Sequence, residues 1–105
     1  MNAEAPVTFA DDPDERRYEV RVGGELAGFA SYRAQPGSIS FTHTEVDDGF
    51  EGQGLGSRLA AFALDDARGR GLAVLPFCPF VKGYIERHRE YLDLVPEERR
   101  AGFGL

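Results

Sequence analysis

Apolar and polar positions alternate along the first half of this chain and then change period. From Arg17 to Val22 the alternation is strict, with Tyr18, Val20 and Val22 on one side and Arg17, Glu19 and Arg21 on the other. A period of two reads as a half-buried strand. Gly23-Gly24 follows, a pair that accepts the positive φ angles of a two-residue hairpin. Glu25 to Arg33 returns as a second strand whose large apolar residues, Leu26, Phe29 and Tyr32, do not separate onto one face, as expected of a central position. Gln35-Pro36-Gly37 turns the chain again. Ser38 to Val46, rich in β-branched residues, makes a third antiparallel strand. Val7 to Ala10 suggests a short edge strand ahead of these, followed by an acidic turn over Asp11 to Glu15 around Pro13. Met1 to Pro6 is expected to be loose.

Beyond a polar loop the period becomes helical. Leu55, Leu59, Phe62 and Ala63 form one face, widened by Ala60, Leu64 and Ala67, with Ser57, Arg58, Asp65 and Arg68 opposite. Asp66 falls among the apolar residues, and an i, i+4 pairing with Arg70 accounts for it. Gly69 and Gly71 stop the helix. Leu72 to Phe77 is a continuous apolar run, which predicts a strand covered on both faces and parallel to the third strand, closing a βαβ unit. Pro79 opens a second helix at its favoured first position. That helix is predicted to bury Phe80, Val81, Tyr84 and Ile85 and to close at Arg87-His88-Arg89. Tyr91 to Val95 folds back as a hydrophobic turn, and residues 97–105 read as a loose charged tail. The predicted fold is a mixed α/β (α+β) one: a three-stranded antiparallel meander, a βαβ unit and a second helix, in a single domain over residues 1–105.

The chain has 105 residues and a net charge of −6, with no basic run, which argues against binding nucleic acid through its backbone. One cysteine, Cys78, rules out an internal disulfide and a cysteine-based zinc site, and no metal is expected. No apolar run is long enough for a membrane span, and Met1 to Pro6 lacks the pattern of a leader, so a cytoplasmic location is expected.

The loop between the third strand and the first helix carries Gly52, Gly54 and Gly56 at alternate positions, Gly54-Leu55-Gly56-Ser57 opening the helix. A strand, a glycine-rich turn and a helix start together offer unpaired N–H groups and a positive dipole end to an anion, most naturally a phosphate. No Lys-Ser or Lys-Thr follows, so it is not a P-loop, and the glycine order is not the dinucleotide G-x-G-x-x-G.

The run Glu51-Gly52-Gln53-Gly54-Leu55-Gly56 instead resembles the coenzyme A pyrophosphate loop of the GNAT acetyltransferase superfamily, [Arg/Gln]-x-x-G-x-[Gly/Ala]. Glu51 departs from that pattern and is expected to turn its charge outward. His43-Thr44-Glu45-Val46, Cys78-Pro79-Phe80, the Tyr84/His88 pair and Tyr91-Leu92-Asp93-Leu94-Val95 look like a short, YjdJ-type branch of the same superfamily. The resemblance implies acetyl transfer from acetyl-CoA to an amine acceptor, small molecule or protein, with the cofactor held by Val46, Glu51, Gly52, Gln53, Gly54, Leu55, Gly56 and Ser57. In such folds the third strand and the apolar strand splay apart, and the backbone of Val46 would bond the pantetheine.

The chemistry asks for a base to deprotonate the amine and for a proton or dipole at the departing thiolate. His43 and Glu45 alternate onto one strand face and are candidates for the base. Either could equally be part of an ordinary polar face. Tyr84 is a candidate acid, or a core aromatic paired with Phe80. Cys78, at a helix start that favours a thiolate, either carries the acetyl group or only packs. Direct transfer is preferred, because a thioester-to-thioester exchange gains little reactivity. A non-catalytic acyl-CoA-binding module and a Cys78-dependent acyl carrier or thioesterase are the alternatives. The acceptor's identity and the oligomeric state stay open.

Overall fold

The computed structural model describes residues 5–105. The expected loose start falls largely outside these residues. Five strands form one sheet in sequence order: β1 (Val7–Asp12), β2 (Arg17–Val22), β3 (Glu25–Gln35), β4 (Ser38–Val46) and β5 (Ala73–Pro76). β1 to β4 pair antiparallel and β5 runs parallel to β4. Helices α1 (Leu55–Gly69) and α2 (Pro79–Arg87) flank β5 in the chain, and a short α3 (Glu97–Arg100) follows.

The turns follow their residues. Gly23 and Gly24 have φ of 59° and 85°, as the β2–β3 hairpin requires. α1 stops at Gly71, φ 70°, where the N–H of Leu72 reaches the carbonyl of Ala67 and that of Gly71 the carbonyl of Arg68. These two bonds satisfy carbonyls that the helix end leaves open.

Register separates the two faces of the sheet. Tyr18, Val20, Ala30, Tyr32, Ile39, Phe41 and Val74 are buried with Leu59, Ala63 and Leu64 of α1 and Val81 and Ile85 of α2. Three tyrosines of this core donate to aspartates: Tyr18 to Asp66 at 2.6 Å, Tyr32 to Asp11 at 2.6 Å and Tyr91 to Asp65 at 2.8 Å. Arg70 adds bonds to Asp11 and Asp66. Tyr18 thus fastens α1 to β2, Arg70 ties the end of α1 to β1, Tyr32 joins β3 to β1, and Tyr91 holds the turn over residues 89–94 against α1. The opposite face places Glu19, Phe29 and Glu45 side by side across β2, β3 and β4, then Arg17, Ser31 and His43, then Arg33, Ser40 and Leu75.

Several expectations are corrected. Asp11 and Asp12 belong to β1, which has six residues, and the turn lies at Pro13–Arg16. The continuing ladder and the bonds to Asp11 hold them there. β5 is not covered on both faces: Val74 and Pro76 are buried, whereas Phe77 beyond it is 55% exposed. Phe80 is not buried by α2 but 37% exposed, because it sits at the helix's first turn beside the α1 start. Glu19 is buried rather than solvated, bridged by Arg17 and Arg21. Residues 97–103 are helical turns rather than a patternless tail, and Phe103 packs edge-on against Phe77 at 5.1 Å.

Candidate active site

β4 is nine residues long, yet β5 pairs only with its first four, Ser38 to Phe41. The last rung is the Cys78 N–H donating to the Phe41 carbonyl at 2.8 Å. There the chain leaves the sheet, since Pro79 starts α2. Thr42 is an extra residue in β4: Ser31 faces His43 while Tyr32 faces Phe41. Such a bulge re-aims the strand beyond it. Asp47 donates to Ala27 of β3, so ladder alternation turns the N–H and C=O of Val46 and Thr44 the other way. On that side no strand meets them among the described residues.

The stretch of β4 with this free edge runs into the glycine loop. Val46, Phe50, Glu51, Gly52, Gly54, Leu55, Gly56, Ser57 and Phe80 enclose a hollow of about 220 Å³. Gly52 and Gly54 have φ of 85° and 72°, and a Cβ on either would meet nothing within 4 Å. Their glycines answer to backbone conformation and leave open space above the chain. Gly56 differs, because a Cβ there would stand 2.8 Å from the Phe80 ring, so its role is close packing. The first bond of α1 is Arg58 N–H to Gly54 carbonyl, at 3.2 Å, and Gly54 offers no capping side chain. The N–H groups of residues 52–57 therefore have no partner among the described residues. Unfilled donors, a helix dipole and two glycines with open space fit a pyrophosphate. Gln53 is exposed in the same turn, and exposed Glu51 borders the hollow.

His43 and Glu45 do meet: Nε2 and Oε2 are 2.8 Å apart, both side chains 59% exposed, with the His43 ring 6.2 Å from that of Phe29. A carboxylate on one imidazole nitrogen favours the tautomer with its proton there and frees the other nitrogen to accept one. Cys78 lies on the other face of β4, 2% exposed, its Sγ 3.2 Å from the Thr44 hydroxyl. The structure thus separates Cys78 from the His43–Glu45 pair by the thickness of the strand. Tyr84 is not beside Phe80. Its ring stacks on His88 at 4.0 Å and leans on Tyr91 at 5.9 Å, which leaves His88 half-buried. Burial and then the carboxylates of Glu90 and Asp65 push the Tyr84 phenol above its ordinary 10. Phe50 and Phe80 also line the hollow; the sequence pattern passed over Phe50 and assigned Phe80 to the core. An aromatic directly after Cys78-Pro79, one turn from Tyr84, was the available signal.

A family model described as GCN5-related N-acetyl-transferase matches residues 17–94. A GCN5-like N-acetyltransferase candidate from Staphylococcus aureus, solved by NMR, superposes with a TM-score of 0.65 at 23% identity, covering 90% of this chain and 91% of that one. The ribosomal-protein-alanine N-acetyltransferase of Brucella melitensis biovar Abortus 2308 superposes with a TM-score of 0.50 at 21% identity. That overlap covers 76% of this chain and 61% of the Brucella one. A search of curated proteins finds no match. The two structures share the mixed α/β fold, and the match over residues 17–94 spans the sheet from β2, the glycine loop and both main helices: the chain belongs to the GCN5-related N-acetyltransferase family.

Proposed function

We propose that this chain moves an acetyl group from acetyl-CoA to an amine by direct attack in a ternary complex. The observation that carries the reading is the row of N–H groups at residues 52–57 with no partner among the described residues, set beside the stretch of β4 that β3 pairs but β5 does not. Bound acetyl-CoA would supply an activated thioester, whose C–S bond breaks as the amine nitrogen forms its new bond to carbon, the thiol leaving with a proton. Gly52, Gln53, Gly54, Leu55, Gly56 and Ser57 would hold the pyrophosphate through backbone N–H groups, and Val46 would offer its N–H and C=O to the pantetheine amides. The His43–Glu45 pair takes the proton of the incoming ammonium, since it is exposed on the face an acceptor can reach. Cys78 packs behind the strand with Thr44. Tyr84 is a weak fit for the acid, because its raised pKa makes it a poor donor to a thiolate. The short, YjdJ-type branch is part of the same reading, resting on His43-Thr44-Glu45-Val46 and Cys78-Pro79-Phe80.

Mass spectrometry after incubation with acetyl-CoA, with and without a mixed amine library, tests it. Acetylated amine with no acetyl adduct on the protein is the expected result. Coenzyme A binding with no product from any amine would leave a binding module, and an acetyl-Cys78 adduct that amine discharges at the turnover rate would leave the two-step route.

A further inference from the structure

The sheet face that carries His43 and Glu45 is electrically polarised along its strands. At one end Leu26, Ala27, Gly28, Phe29, Glu45 and Asp47 surround a small recess of about 90 Å³. At the other end Arg33, Gln35, Ser40, Thr42, Leu75 and Phe77 surround a larger hollow of about 320 Å³. Arg33 also borders an adjoining recess with Arg16 and Ala34. Glu45 and Asp47 thus mark one end, where the guanidinium of Arg21 is held by Glu19, and Arg33 and Arg16 mark the other.

At the cationic end one guanidinium stands apart from the ion pairs of the fold. Arg17 and Arg21, on the same face, are consumed by Glu19, and Arg70 by Asp11 and Asp66. Arg33 has no hydrogen bond or ion pair among the described residues. Beside it, Leu75 and the 55%-exposed Phe77 give an apolar floor, and the Thr42 hydroxyl donates to the Ser31 carbonyl at 3.4 Å. The hollow adjoins the proposed base: Thr42 precedes His43, and Arg33 lies two residues along β3 from Ser31, which faces His43. Two residues of strand span roughly 7 Å. The long Arg33 side chain and His43 can therefore meet the two ends of one small ligand.

Resting on the function proposed above, we infer that the acceptor is an amine that also carries a carboxylate, of the amino-acid class. Its ammonium faces His43 and Glu45, its carboxylate pairs with Arg33, and its apolar body lies on Leu75 and Phe77. The planar guanidinium suits a carboxylate through two parallel bonds. The overall negative charge of the chain would by itself favour a purely cationic amine, and the local placement of Arg33 outweighs it.

The test is an amide NMR titration of the full chain with glycine, leucine, phenylalanine and glutamate, and with phenethylamine, which is phenylalanine without its carboxylate. At least one amino acid is expected to shift Arg33, Ser40, Thr42 and Phe77 in a saturable way. Arg33→Gln, an exposed strand position that leaves the fold intact, should weaken that binding about tenfold or more, as loss of a charge-assisted pair does. Phenethylamine should bind wild type at least tenfold more weakly than phenylalanine and ignore the substitution. Equal binding of phenethylamine, an Arg33→Gln protein that binds like wild type, or no shift there with any amino acid would each overturn the inference. A separate titration with coenzyme A reads residues 52–57. Its failure removes the acetyl-transfer reading and leaves the Arg33 result to be judged alone.

Discussion

Gly54 is the residue at which backbone geometry and ligand space can be told apart. It caps α1 with φ 72° and ψ 15°, in the left-handed region. Alanine there costs about 1–2 kcal/mol in conformation, and its smaller unfolded-state freedom returns about 0.4–1 kcal/mol. The net loss is therefore about 1 kcal/mol. Asparagine tolerates the same conformation and caps helices well, so Gly54→Asn should be nearly neutral. No atom lies within 4 Å of either new Cβ, so no clash within the fold adds to these figures. A domain stable by about 5–10 kcal/mol stays more than about 99% folded in both variants. Each side chain nevertheless projects into space that a phosphate would occupy. Displacing even one charge-assisted bond of about 1.5–3 kcal/mol weakens binding about tenfold to hundredfold. Gly54→Val, bulkier and β-branched, should abolish it. Urea denaturation and calorimetry with coenzyme A measure the two effects separately. If Gly54→Asn, folded and of normal stability, binds coenzyme A like wild type, the phosphate is not held at this turn.

Three further expectations concern single residues. Glu51 borders the hollow, and a like charge about 7 Å away through water-like screening is worth about 0.6 kcal/mol; Glu51→Gln should tighten coenzyme A about threefold at low salt and not at all near 1 M, and a salt-resistant gain beyond about tenfold would contradict exposed placement. Cys78→Ala loses the contact with Thr44 and a little packing, about 1 kcal/mol, and should keep most of its turnover; near-complete loss in both Cys78→Ala and Cys78→Ser would show an acyl carrier. Burial of Glu19 opposes its charge, but the hydrogen bonds from Arg17 and Arg21 prevail and hold the carboxyl below its ordinary 4.5. The wild-type advantage over Glu19→Gln should then be present above pH 4.5 and fade as pH falls further, and urea midpoints that differ equally at pH 7 and pH 3 would exclude this.

Local chemistry made most of the fold legible. Strict alternation at Arg17–Val22, two glycines at a hairpin, and a 3.6-residue stripe ending at Gly71 each have one cheap conformation. The errors fall where a residue's neighbours come from afar. Phe80 reads as core by spacing, but α2 meets α1 at its first turn, beside Gly56, which leaves the ring half outside. Glu19 reads as solvated, but two arginines on the same strand and Phe29 across it shut out water. The glycine loop was legible because it needs few long-range partners. The early end of β5 and the Thr42 bulge, which free the edge of β4, depend on pairing register and leave no mark in residue type. Arg33 was similarly silent, since only the register places it on the face of His43.

The buried tyrosines also make the chain its own optical gauge. It has four tyrosines and no tryptophan. Burial first, and then the aspartate each one donates to, raises the phenols of Tyr18 and Tyr32 far above 10 and that of Tyr91 to about 12. Tyr84 is raised too, by burial and nearby carboxylates. In the folded state there is thus no phenol free to ionise at its ordinary 10. The stability these protons contribute is complete below pH 10 and is lost as the solution becomes more alkaline. The tyrosinate absorbance of Tyr18 and Tyr32 should therefore appear only together with the loss of the helical circular dichroism signal. In alkali, the share of the ultraviolet spectrum that belongs to these two residues reads unfolding directly, with no dye and no added label.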